Sequence, residues 1–253
     1  MTKRIHISWT IFALLIFGCV VMGQQTVQLS TGFDNALITQ TVYPNPGSPS
    51  GQHDNYWINI ATSPNAPAGP AWVLHYTQPG WVNPMANSTW ISAWNRAASQ
   101  PGVTPINRGY AVFKKCFCLL DGYKKLSLSF QVRADNNINA YVNSTLNQIL
   151  TPAIGNWGSG SPLQSLPINQ SWFHVGKNCL YVYVEDDGGL TGFDLSGTVS
   201  ALGLLPTPAM GTNGTFAPCE CQGRPTGREM DNDSQVVQEI LKIVAARRGG
   251  AKQ

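Results

Sequence analysis

The chain has 253 residues, with 16 Lys and Arg against 13 Asp and Glu, and 11% of it is charged. So even a balance gives no long-range pull on nucleic acid or an anionic membrane, which excludes partners recognised by charge alone. Scarce charge beside plentiful Asn, Ser, Thr, Gly and Pro argues against a cytosolic helical enzyme and for an exported β-protein.

Residues 1–23 read as a signal peptide. Lys3 and Arg4 supply a positive start, Ile11 to Val21 an apolar run broken by Gly18 and Cys19, and Val21 and Gly23 suit cleavage before Gln24. The run is short for a bilayer span, and no later segment is apolar enough to replace it. A competing reading is a lipoprotein, because Ile16-Phe17-Gly18-Cys19 is similar to a lipobox, although Phe17 is bulky where a small residue is usual. The expected address is secreted, cell-surface or periplasmic, with no membrane span after cleavage.

Residues 24–205 read as strands and turns. Alternation of apolar and polar residues is clear over Tyr110–Leu119, Leu126–Val132, Leu180–Val184 and Phe193–Val199. Asp121-Gly122, Asn136-Asn137, Gly176-Lys177-Asn178 and Asp187-Gly188-Gly189 are the turn signals between them. Asn65 to Pro70 and Asn156 to Pro162 read as loops. The fold class is all-β: an antiparallel jelly-roll β-sandwich with a short C-terminal helix.

Residues 206–230 have the composition of a linker and carry Cys219-x-Cys221, and residues 231–253 hold a helix and tail. The helix is expected over Asp231–Arg248, capped by Asp233 or Ser234 and stopped by Gly249-Gly250. Val237, Ile240, Leu241 and Val244 fall on one stripe, and Arg247 and Arg248 suit the C-terminal end. A helix of about four turns is marginal alone. Its stripe is expected on its own sandwich, with a partner subunit or a membrane surface as the alternatives.

Five cysteines follow the leader: Cys116, Cys118, Cys179, Cys219 and Cys221. In an exported chain they read as disulfide formers, with one thiol left over. Residues two apart on a strand face one way, so Cys116 and Cys118 could form parallel crosslinks to Cys219 and Cys221. The alternative pairs Cys179 with Cys116 or Cys118. Metal binding by the two C-x-C pairs is a weaker reading, because zinc ligands are usually spaced more widely.

A series of short segments comes in a familiar order. Thr31-Gly32-Phe33-Asp34 is followed by His53-Asp54-Asn55-Tyr56-Trp57, then by Trp81-Val82-Asn83-Pro84 and Trp90-Ile91-Ser92. Ala134-Asp135-Asn136, Gly176-Lys177-Asn178-Cys179-Leu180 and Gly188-Gly189-Leu190-Thr191-Gly192-Phe193 complete it. Over residues 31–203 the chain resembles a bacterial exported, galactose-binding-like jelly-roll domain of the kind found in PEP-CTERM sorting-domain proteins. Leu190 replaces a proline of that pattern, Asn143-Ser144-Thr145 stands where N-G is usual, and the sorting tail is missing. The resemblance implies the fold and export, and carries little about ligand.

Candidate chemistry is sparse. His53, His75 and His174 lie in separate segments, without a zinc-binding or nucleophile-elbow motif. Glycosidases need two carboxylates flanking a bond, and the spacing selects no pair. No enzyme is expected. The oxygen-rich turns at Asp135, Asn136, Asn137, Asp186 and Asp187 suggest Asp135, Asp186 and Asp187 as ligands of a structural calcium ion, with ordinary turn chemistry as the alternative. For sugar binding the candidates are Trp157, in a Gly/Ser loop, with Asn136, Asn137 and Tyr141. Trp57, Trp81 and Trp90 read as packing residues. The expected function is a non-catalytic binding or adhesive module with a glycan or another cell-surface component as partner. The alternative is a structural subunit of a surface layer, filament or envelope complex, assembled as an oligomer through the C-terminal helix and cysteines.

Overall fold

One strand organises the molecule. In the computed structural model, which describes residues 23–32, 53–63, 66, 68–74, 81–94, 109–158, 160–187, 191–205 and 233–250, β5 runs from Gly109 to Asp135. Its first half pairs with β9 (Gly176–Asp186) and β2 (His53–Ser63), and its second half with β10 (Gly192–Leu205) and β8 (Leu163–Gln164). The inward positions are odd-numbered through Phe113, Phe117 and Leu119 and even-numbered through Leu126, Leu128, Phe130 and Val132. That change of parity falls where Gly122 and Lys125 take positive φ, and it carries the strand from one layer of the sandwich to the other.

The strands complete two antiparallel layers. The first runs β7 (Ser144–Ile154), β6 (Asn137–Val142), β9, β5, β2, β3 (Gly69–Val73) and β4 (Ile91–Ser92). The second runs β1 (Gln24–Gln28), β10 and the second half of β5, with β8 beside it. The all-β antiparallel sandwich with a single C-terminal helix is the fold expected from alternation. Asp121-Gly122 turns out to be a bend within β5, and Gly176-Lys177-Asn178 opens β9, with Gly176 alone at positive φ. Gly69 and Pro70, expected in a loop, begin β3.

The core between the layers holds Trp57, Phe113, Phe117, Phe130, Phe193 and Leu195, all buried. It also holds charge. Asp54 is wholly buried, and its carboxylate accepts from the N–H groups of Gly32 at 2.7 Å, Tyr56 at 2.9 Å and Trp57 at 3.1 Å. The buried Lys115 ammonium lies 5.3 Å from the Tyr56 ring centroid and 5.7 Å from that of Trp57. Burial lowers the Lys115 pKa to about 8 against the favourable charge of Asp54, and burial raises that of Asp54.

The outer face of the first layer is also covered. Val112, Cys116, Tyr141, Cys179, Tyr181 and Tyr183 form a second apolar cluster with Val236, Val237, Ile240 and Val244 of α1 (Asp233–Gly250). The stripe expected to dock on its own sandwich does so, with Leu241 at its margin. The described helix runs through both glycines, two residues beyond the expected end, a difference normal for helix ends, while Asp231 and Asn232 lie outside the described residues. Asp233 fixes the start: its carboxylate pairs with Lys114 and accepts from the Tyr181 hydroxyl at 2.8 Å. Further along, Thr145 Oγ1 donates to Glu239 at 2.8 Å.

Cys116 and Cys179 are opposite residues of β5 and β9, with Cα atoms 4.0 Å apart, and they form a disulfide. The parallel pairing of both Cys116 and Cys118 with the tail is therefore corrected, because Cys116 is bonded to the residue opposite it in the ladder. The alternative pairing of Cys179 with the first pair holds. Cys118 is itself disulfide-bonded, while Cys219, Cys221 and the linker lie outside the described residues. No helix among the described residues is long and apolar enough to cross a membrane.

The Cys116–Cys179 bridge spans 63 residues, so its loss should cost about 4 kcal/mol through loop entropy. Urea unfolding of the Cys116→Ala/Cys179→Ala protein measures this, and a loss below about 1 kcal/mol would refute it. Removing the Asp233 carboxylate should weaken helix docking by about 2 kcal/mol. Hydrogen exchange of Asp233→Ala is expected to quicken across α1 while β10 keeps its protection, and unchanged exchange in α1 would contradict this.

Candidate functional site

The outer face of β6 and β9 is a ladder of polar rungs leading out from under α1. Asn137 is paired with Glu185, Asn139 with Tyr183, and Tyr141 with Tyr181. The alternation of the two strands puts these six side chains on one face, opposite Ile138, Ala140, Val182 and Val184 in the core. The inner two rungs are buried, Tyr141, Tyr181 and Tyr183 against the helix, and only the outermost, Asn137 and Glu185, is partly exposed.

The outer end of this ladder is a groove of about 560 Å³. Its floor carries Asn137, Asn139, Tyr183 and Glu185, with Asp187 at the strand end; Pro152, Ala153 and Ile154 of β7 form one wall, and Val244 and Arg247 of α1 close the inner end. The β7 wall is held by Gly155, whose N–H donates to Asn136 O at 2.6 Å and whose O accepts from Ala134 N at 2.7 Å. A Cβ at Gly155 would collide with Ala134 O, so a larger residue would push this wall away. Ile154 is left 69% exposed at the rim.

The polar groups are oriented. Tyr183 stacks on Tyr110 at 5.9 Å and donates its hydroxyl to Glu185 at 3.2 Å. Asn137 Nδ2 donates to Asp187 at 3.5 Å, and Asn136 Oδ1 accepts from the Asp187 N–H at 2.8 Å. With the Asn139 amide set by its hydrogen-bond network, its oxygen accepts from Arg247 Nη1 at 3.2 Å. Arg247 is exposed and has no carboxylate partner among the described residues.

The residues expected from sequence are split between this groove and its surroundings. Asn137 lines it, and Asn136 braces its rim. Tyr141 is 1% exposed beneath α1, where burial raises its pKa and Arg247 opposes the shift. Trp157 lies elsewhere: it is half-buried against the cluster of Leu74, Trp81 and Trp90, and its carbonyl accepts from Val82 N at 2.8 Å. It is a packing plug outside the groove, and the expected platform role does not fit that placement. Trp57 and Trp90 are in the interior, with indole N–H groups donating to Leu29 O and Val82 O.

Asp187 lines the groove, whereas Asp135 and Asp186 are buried. Asp135 accepts from the Trp81 indole at 2.7 Å, and its pKa is raised to about 6 by burial, with the Asp186 charge adding to the shift. Asp135 and Asp186 lie near each other in the interior while Asp187 lines the groove, so the three expected calcium ligands do not all converge, because Asp186 and Asp187, adjacent at a strand end, face opposite ways. Among the described residues no group of three or more His, Cys, Asp or Glu is placed to hold a metal ion. The residues that sequence reasoning missed are Asn139, Tyr183, Glu185, Ile154 and Arg247. Asn139 was available from the alternation of Asn137 to Tyr141, but the register that brings Tyr183 and Glu185 beside it, and the placement of Ile154 on β7 and Arg247 on α1, were not.

Asp194 lies under the Met85 loop, wholly buried, and accepts from Met85 N at 2.7 Å. Burial pushes its pKa up to about 6, against the opposing hydrogen bonds of Ser88 and Met85. Between the ordinary value of 3.8 and about 6, the folded chain keeps a proton that the unfolded chain has released. Stability from this group is therefore lost as pH rises through that window, by up to about 3 kcal/mol. In urea unfolding at pH 4 and pH 7, Asp194→Asn should show a smaller fall in stability than the wild-type protein. An equal fall in both would show that Asp194 does not titrate in this way. No protein-family model matches the chain, and no curated protein matches it in sequence.

Proposed function

We propose that this chain is an exported, non-catalytic binding module of galactose-binding-like jelly-roll type, and that the groove between β6, β7, β9 and α1 binds a glycan. The observation that carries the reading is the combination of groups in that groove. Two amides, two carboxylates, a guanidinium and an aliphatic wall surround a volume suited to one or two sugar rings. Carboxylates and amides can exchange hydrogen bonds with hydroxyls in both senses, and Pro152 and Ile154 offer apolar surface to ring C–H groups.

Glu185 and Asp187 come from one strand end and stand on the same wall. A glycosidase needs its two carboxylates on opposite sides of the scissile bond, so the pair suits hydroxyl binding better than hydrolysis. The leader sequence and the cross-strand disulfide both suit an oxidising compartment outside the cytoplasm. Assembly through the helix is less well supported, since the apolar stripe of α1 is used on its own sheet.

A glycan array probed with the wild-type protein, Asn137→Ala and Asp187→Ala tests the reading. Binding of one glycan class is expected, weakened at least about tenfold by each substitution, the equivalent of one good hydrogen bond. An array on which the wild-type protein binds nothing would remove the proposal. Binding left intact by both substitutions would move the site away from the groove.

A further inference from the structure

We infer that the groove selects a glycan bearing a carboxylate, a hexuronate residue, with Arg247 as the group that reads the acid. This rests on the glycan reading of the groove. Charge is distributed asymmetrically along the groove. Glu185 and Asp187 stand at the outer rung beside Asn137, and Arg247 stands at the inner end against Asn139. The Asn137 and Asn139 rungs are two residues apart, about 7 Å along the strand. Cation and carboxylates thus occupy opposite ends of one short floor.

Arg247 lines the groove, and no carboxylate of the described residues neutralises it. It sits in the last turn of α1, exposed, with an Nη1 donation to the Asn139 amide oxygen, a side-chain hydrogen bond to Tyr141 and no carboxylate partner among the described residues. The Asn139 and Tyr141 contacts orient the guanidinium plane, and the guanidinium carries five N–H donors in all. Such a planar fork matches a carboxylate with two parallel hydrogen bonds, which a lysine cannot reproduce. Val244, one turn earlier on α1, closes the groove behind it.

The acidic end fixes the orientation. A hexuronate carries its carboxylate on the opposite side of the ring from its C2 and C3 hydroxyls. With the carboxylate on Arg247, those hydroxyls face Glu185, Asp187 and Asn137, which accept from or donate to them. The reversed pose sets carboxylate against carboxylate and is disfavoured. A neutral sugar can use the acidic end but leaves the guanidinium without an anion. Because Arg247 is solvent-exposed, the gain is moderate and is screened by salt.

Isothermal titration of the full chain with a hexuronate oligosaccharide and with its carboxyl-reduced neutral form separates the possibilities. The wild-type protein is expected to bind the acidic form about tenfold more tightly at low salt, with the preference shrinking as salt rises. Arg247→Ala should bring the two forms to within about twofold of each other, and Arg247→Lys should keep only part of the preference. Thermal unfolding of each variant close to that of the wild-type protein shows that the fold is intact. Equal binding of both forms by the wild-type protein, or a preference that survives Arg247→Ala, overturns the inference and leaves the glycan reading standing. Binding of neither form by the wild-type protein, together with a blank array, removes both.

Discussion

The first half of β5 has no face turned to water. Phe113, Lys115, Phe117 and Leu119 point into the sandwich, and Val112, Lys114, Cys116 and Cys118 point the other way, yet all of them are buried. An antiparallel sheet can leave one face wet, and alternation usually marks that face with polar residues. Here Val112 and Cys116 of β5 meet Tyr181 and Cys179 of β9 and Tyr141 of β6, so the outer face needs a cover. The helix α1 is that cover. Its ion pair from Asp233 to Lys114 neutralises the charge placed in the middle of the face, and the Cys116–Cys179 bridge ties together the two strands on which the helix rests.

The inner face poses a different problem, because it contains an ammonium and a carboxylate. A buried pair seldom stabilises more than apolar side chains of the same volume would, but removing one member is severely destabilising. Three N–H groups hold the Asp54 carboxylate, and two of them belong to the turn that Asp54 itself starts. The third, from Gly32, belongs to the segment after β1, so Asp54 joins β2 to the layer that contains β1. Lys115 supplies the balancing charge from β5 and covers the Tyr56 and Trp57 rings. The pair therefore specifies which segments meet at this end of the core, a role that an apolar pair would fill without directional preference.

Legibility in the sequence followed the range of the interaction. The strands of β5, β9 and β10 and the helical stripe are local patterns, and each was readable from the spacing of apolar residues. The packing role of Trp57, Trp81 and Trp90 was readable too, since all of them are buried. What failed depended on contacts distant in the chain. Trp157 looked like an exposed platform because its neighbours are Gly and Ser, but Leu74, Trp81 and Trp90 provide a surface for it. Tyr141 sits on the correct strand face, yet the helix about a hundred residues later covers it. Arg247 read only as a favourable charge at a helix end, because no local rule places that end beside Asn139.

The groove does not belong to the sandwich alone. The sheet provides Asn137, Asn139, Tyr183 and Glu185, but its inner end is made by Val244 and Arg247 of the helix. A helix this short gains its stability from its contact with the sheet. Any ligand that touches both elements must then bind the docked arrangement better than the undocked one, and by reciprocity it must favour docking. The ion pair at Asp233 and the site at Arg247 lie at opposite ends of the same helix, so what holds the start of α1 also presents its end. The cover demanded by a strand with two buried faces is thereby also one wall of the groove. This explains how a segment outside the sandwich pattern comes to supply the only cation at the groove among the described residues.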